Sequence, residues 1–191
     1  LQRIRAASQR MGELIEELLH LSRVTRSEMR LQNLDLSAMV RNIASELQQA
    51  QPERVVEFAI APDLTAPADP QLIRVLFENL LNNAWKFTSR TKSARIEFGK
   101  LPLKQLKFFT ERSLSPFNSS NVYFISDNGA GFDMAYSARL FVAFQRLHSE
   151  DEFPGNGIGL ATVKRIILRH GGQIWAESII GRGTTFFFTL R

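Results

Sequence analysis

The chain is 191 residues long, 44% hydrophobic and without cysteine, which allows one well-packed core with an appendage and excludes disulfides and thiolate metal sites. No run of about 18 apolar residues occurs, so no segment reads as a membrane span, and the charged, helix-patterned start Leu1-Gln2-Arg3 does not read as a signal peptide. The formal charge is +5, but the basic residues are scattered and many lie beside Glu, a pattern of a solvated surface with an anionic small ligand rather than a nucleic-acid stripe.

Residues 1 to about 28 read as one helix. Ile4, Met11 and Leu18 share one heptad position, and Ala7, Leu14 and Leu21 fall three residues later. Arg3, Arg10, Glu13, Glu16 and Glu17 occupy the other side. Such a stripe has to be buried, so a partner helix or a homodimer through this helix is expected. The start without Met reads as a piece of a longer protein, and the lack of cysteine fits a cytoplasmic domain.

A second unit is expected from Leu31, giving domains of 1–30 and 31–191. Asp35 or Ser37 is an N-cap candidate for a helix with Met39, Val40, Ile43 and Leu47 on one face, ended by Pro52. Val56, Phe58 and Ile60 alternate as a strand. Asp69-Pro70 opens a long helix to about Thr88. Strands are predicted at Ala94–Phe98 and Val122–Ser126; between them Leu103–Thr110 reads as an extra strand and Ser113–Ser120 as loop. A short helix over Ala135–Phe144, a helix from Gly159 to His170 ended by Gly171-Gly172, and strands Gln173–Ser178 and Thr184–Leu190 complete the pattern. This order suggests an α/β two-layer sandwich, a mixed sheet covered by helices on one face.

Four segments carry chemistry. On the Asp69–Thr88 helix, Asn79, Asn83 and Lys86 recur at i, i+4 and i+7 on one stripe, apart from the apolar face of Ile73, Leu76, Phe77, Leu80, Ala84 and Phe87. Two amides and an ammonium suit a magnesium-bound polyphosphate; from this helix alone, a solvated polar face is the better reading. Asp127-Asn128-Gly129-Ala130-Gly131 is by itself a turn after a strand. Gly155-Asn156-Gly157-Ile158-Gly159 leads into a helix at Leu160, presenting backbone N–H groups to an anion; it is neither a Walker pattern nor a Rossmann fingerprint. Gly181-Arg182-Gly183-Thr184-Thr185 reads as a hairpin turn.

In this order and spacing, with Glu78-Asn79-Leu80-Leu81-Asn82-Asn83-Ala84 as the first member, the segments resemble the catalytic domain of sensor histidine kinases, in the Bergerat (GHKL) ATP-binding superfamily. The resemblance covers nearly the whole chain and implies that fold, with ATP and Mg²⁺ as ligands. It assigns the metal to Asn83, with Asn79 lining the same site and Lys86 near the phosphates, the three forming the catalytic set. It makes Asp127 the acceptor of the adenine amine, with Gly129 and Gly131 letting the backbone approach the base. Phe141 and Phe144 match a pair of phenylalanines packed at the base of an ATP lid, and read also as core. Arg146 and His148 either approach the phosphates or are exposed. Gly155, Gly157, Gly159 and Leu160 match the second glycine box, with Asn156 where many members have Thr. Thr184 or Thr185 belongs to the last. The lid, about Leu147 to Pro154, is acidic through Glu150, Asp151 and Glu152.

ATP-hydrolysing relatives such as DNA gyrase carry a Glu where this chain has Asn79, which favours a kinase over a GHKL ATPase. The phosphoacceptor His of the family is followed by an acidic residue and a nearby Pro. His20, His148 and His170 do not fit. The first helix resembles the second dimerisation helix, so the acceptor helix is expected upstream and a response-regulator receiver domain as the relay partner. Competing readings are a non-catalytic dimerisation or scaffold module and a basic nucleic-acid binder.

Overall fold

A computed structural model describes residues 28–102, 121–149 and 152–191, with Gly12 alone before them. The expected dimerisation helix, the Leu103–Thr110 strand, the Ser113–Ser120 loop, Glu150 and Asp151 lie outside the described residues.

Chain order is β1 (Gln32–Asp35), α1 (Leu36–Ala50), β2 (Val56–Ile60), β3 (Thr65–Ala68), α2 (Pro70–Phe87), β4 (Ala94–Pro102), β5 (Asn121–Asp127), a 3₁₀ turn (Met134–Arg139), α3 (Gly159–Arg169), β6 (Ile174–Ile179) and β7 (Gly183–Phe188). The main sheet runs β2-β4-β5-β7-β6. It is mixed: β2 and β4 are parallel, and the remaining pairs are antiparallel. β1 and β3 form a separate antiparallel pair, which the periodicity did not announce: Gln-Asn-Leu-Asp and Thr-Ala-Pro-Ala are too short and too poor in β-branched or aromatic residues to read as strands.

Local chemistry sets the helix ends. Asp35, not Ser37, caps α1 by accepting from Ala38 N at 2.7 Å; Ser37 is buried, donating to Ala61 O and accepting from Leu64 N. Asp69 caps α2 through Gln71 N and Leu72 N, with Pro70 in the first turn. The same carboxylate accepts Arg30 N at 2.9 Å, and Asp69 N donates to His170 Nε2 at 3.0 Å. The N-terminus of α2, the C-terminus of α3 and the segment before β1 thus meet at one node, opposite the ends of α2 and α3 that build the site. Gly171, at φ +67, and Gly172 turn the chain out of α3.

Phe77, Leu76, Leu80 and Ile73 of α2 are fully buried against Phe98, Ile125 and Phe188 of the sheet. The Phe77 ring meets Phe98 edge-on at 5.3 Å and Phe188 at 6.2 Å. Val40 and Ile43 of α1 and Val163, Ile166 and Ile167 of α3 join the same cluster, so the three helices share one core with one face of the sheet.

One predicted element is corrected. Ala135–Phe144 is not an α-helix but a 3₁₀ turn over Met134–Arg139, capped by Asp133 accepting from Ala135 N at 2.9 Å. Phe141 packs on Phe186 at 6.5 Å, whereas Phe144 is 54% exposed at φ +64. Their i, i+3 spacing is shared by helices and by successive tight turns, so it did not discriminate.

Candidate functional site

The C-terminal half of α2 and the turn leading into α3 face each other across a cavity. Asn79, Asn83 and Lys86 form one wall, and Gly155 to Leu160 form the other. Asn79 Nδ2 donates to Val75 O at 2.8 Å, which turns its carbonyl oxygen towards Gly159; a methyl group at Gly159 would stand 2.4 Å from that oxygen. Helix and turn therefore approach as closely as they do because position 159 has no side chain. Asn83 is half-buried, and its side chain makes no hydrogen bond among the described residues.

Lys86 Nζ stands 4.5 Å over the Phe87 ring. Burial, then the neighbouring Arg146 charge, lowers its pKa. Arg146 lines the same cavity, its Nη2 donating to Phe153 O at 2.7 Å. Among the described residues no carboxylate pairs with either cation, so this end of the cavity attracts an anion. Ile158 gives α3 no side-chain cap, and Gly159 and Leu160 of its first turn line the cavity, so uncapped N–H groups of a helix start stand beside it.

Gly131 and Thr184 line the far end. Asp127, the last residue of β5, is paired with Thr184 in register and is 8% exposed. Burial pushes its carboxyl up to about 6, although N–H groups of Gly129 and Thr184 oppose the shift. Gly129 N donates to Asp127 Oδ1 at 2.9 Å. Ala130 N donates to Phe87 O at 3.1 Å, tying this loop to the end of α2.

Of the residues singled out in the sequence, Asn79, Asn83, Lys86, Gly131, Arg146, His148, Gly155, Gly157, Gly159, Leu160 and Thr184 converge on the cavity. Asp127 and Gly129 stand immediately behind Gly131 and Thr184 rather than on the cavity surface, and Phe144 does not line it. Phe87 and Phe153 were missed. Both line the cavity, Phe87 at the end of the stripe read as buried core, Phe153 as the one buried residue among exposed Glu152, Pro154 and Gly155.

The chain is 35% identical over 180 residues to cyanobacterial phytochrome A of Nostoc sp. (strain PCC 7120 / SAG 25.82 / UTEX 2576), covering 94% of this chain and 22% of that protein. It is 31% identical to the adaptive-response sensory kinase SasA of Synechococcus sp. (strain JA-3-3Ab), covering 95% and 45%. The chain thus spans under half the length of these curated relatives. Its fold is that of full-length ShkA in complex with AMPPNP, at TM-score 0.69, 23% identity and coverage of 98% and 37%. It is also that of the histidine kinase AdeS of Acinetobacter baumannii, at TM-score 0.65, 20% identity and coverage of 99% and 82%. The family model of the histidine kinase-, DNA gyrase B- and HSP90-like ATPases matches residues 68–191, from the cap of α2 through every wall of the cavity, and the chain belongs to that family.

Proposed function

We propose that the chain is the ATP-binding catalytic region of a sensor histidine kinase, passing the γ-phosphate of ATP to a His on a dimerisation helix, for relay to an Asp of a response-regulator receiver domain. The observation that carries this reading is the convergence of the Asn79–Asn83–Lys86 stripe and the Gly155–Gly159 turn on one cavity whose far end abuts Asp127. The relatives named sensory kinases and the AMPPNP complex of ShkA support it. Dimerisation through the N-terminal helix and a cytoplasmic location belong to the same proposal.

The residues fit a magnesium nucleotide. The Asn83 amide is uncommitted among the described residues, and no group of three His, Cys, Asp or Glu is assembled for a metal there. One neutral oxygen with phosphate and water oxygens is a magnesium donor set, since this ion keeps waters and is held through few protein ligands. Bound Mg-ATP supplies the phosphoryl group. Lys86, Arg146 and the first N–H groups of α3 offset and orient its charge, which is most of what phosphoryl transfer asks of a protein. Asn79 is no base, and Glu78 is turned away, bonded to Arg74 Nε at 2.7 Å. On the α2 wall, among the described residues, water activation therefore lacks a carboxylate, which favours transfer to an acceptor over hydrolysis.

Incubation with γ-labelled ATP, Mg²⁺ and a separately supplied dimerisation-helix pair carrying a His-acidic acceptor is the test. Label is expected on His. Asn83→Ala is expected to slow transfer by about 100-fold while leaving the thermal midpoint unchanged. Transfer that survives Asn83→Ala in full, or ATP hydrolysis outpacing transfer, would overturn the reading.

A further inference from the structure

Phe153 is 6% exposed between exposed neighbours. Its ring meets Phe87 edge-on at 5.0 Å and His148 at 5.2 Å, and His148 in turn lies 5.2 Å from Phe87. The Arg90 guanidinium covers the group at 5.2 Å from the Phe153 ring, and its Nη2 donates to Glu152 O at 3.0 Å. The three-ring cluster therefore fastens this part of the loop to the C-terminal end of α2. Its backbone has a second use: Phe153 N donates to Ser149 O at 3.1 Å, and Phe153 O accepts from Arg146 Nη2 at 2.7 Å.

We propose that Phe153 is a positioning residue for phosphate recognition: its ring, seated on Phe87, fixes the carbonyl that holds Arg146 against the cavity. A free Arg side chain has many rotamers, and the entropy of ordering it opposes every contact it makes with a ligand. Here one guanidinium N–H is committed to a carbonyl whose own place is set by aromatic packing, and the others are left for an anion. The ordering is done before nucleotide arrives. The device acts at the Lys86–Arg146 end and not at Asp127, so it bears on the phosphates and leaves the base alone. Packing of His148 against both phenylalanines, edge-on to Phe153 and tilted on Phe87, gives this motif residue a place: it buttresses Phe153.

The inference rests on the nucleotide-site reading above, and its test separates the two. ATP and adenosine are titrated calorimetrically into the full chain, as wild type, Phe153→Ala, Phe153→Leu, Arg146→Ala and the Phe153→Ala/Arg146→Ala double variant. Phe153→Ala is expected to weaken ATP about tenfold, in the range of one charge-assisted hydrogen bond, and adenosine by less than about twofold. Phe153→Leu is expected to keep most of the affinity, and the double variant to bind ATP no more weakly than Arg146→Ala alone. Losses that multiply in the double variant, or adenosine affinity falling as far as that of ATP, would overturn the positioning role while the nucleotide site stands. A folded wild type that binds no ATP sinks both. If Phe153→Ala fails to fold, the cycle is run with Phe153→Leu, where a loss that multiplies with Arg146→Ala likewise contradicts the proposal.

Discussion

Asp127→Asn is expected to abolish ATP binding without costing stability. The carboxylate is buried at the end of β5, held by Gly129 N at 2.9 Å, and in the proposed function it is the acceptor behind the base end of the cavity. An amide at this position turns an N–H₂ group towards the exocyclic amine of adenine, donor against donor. Sites that leave a buried polar partner unpaired reject a ligand by orders of magnitude, so a loss of at least about 100-fold is expected. The effect on stability runs the other way. The carboxyl is raised from 3.8 to about 6 by burial, so the folded protein holds this proton more tightly than the unfolded chain. The ionised form is therefore a cost above pH 6, one that fades as the pH falls through 6 and is gone below 3.8. About two pH units correspond to at most roughly 3 kcal/mol. Asparagine mimics the neutral form and removes that cost. Thermal midpoints at pH 8 are expected to favour the variant, with the gap about halved at pH 5 and closed only below pH 3.8. A variant that loses ATP because it unfolds would refute this.

Gly183→Ala is expected to be the most damaging single methyl in the molecule's second half. Gly183 opens β7 at φ +106, where only glycine sits without strain. An added Cβ would stand 1.8 Å from the Asp127 carbonyl oxygen and 2.7 Å from Asn128 Cα. Backbone, not a flexible side chain, is in the way, so β5 and β7 have to separate where Asp127 pairs with Thr184. A cost of about 3–4 kcal/mol is expected in chemical denaturation, with loss of nucleotide binding. Gly181, two residues earlier in the same hairpin, is the control: its φ is +73 but a methyl meets nothing within 4 Å. Gly181→Ala is expected to cost only about 1 kcal/mol of backbone strain. Equal losses at the two positions would show that strain, and not the close approach to Asp127, governs the hairpin.

These two sites show where the sequence was readable. Asp127 and the glycine turns sit at element ends, where a single residue type has a conformational or chemical reason to be there. The Asn79–Asn83–Lys86 stripe was visible because helical periodicity separates it from the buried face of α2. The long helices and the central strands announced themselves by apolar period, and Asp69 by the proline after it. What stayed hidden depends on the path of the chain in three dimensions. β1 and β3 are short and gain their pairing from each other, across a separation of 36 residues for Gln32 with Ala68 and 30 for Asp35 with Thr65. The helix predicted at Ala135–Phe144 failed because spacing alone does not report the positive φ of Phe144. The Phe87–His148–Phe153 cluster joins α2 to a loop more than 60 residues later, and no local pattern foretells that meeting.

The decisive measurement is a calorimetric titration of the wild-type chain with ATP and, separately, GTP, both with Mg²⁺. Saturable one-to-one binding of ATP, with GTP weaker by at least about tenfold because its carbonyl faces the Asp127 carboxylate, is the expected result. A folded chain that binds neither nucleotide, or binds both equally, would contradict an adenine-nucleotide site built on Asp127.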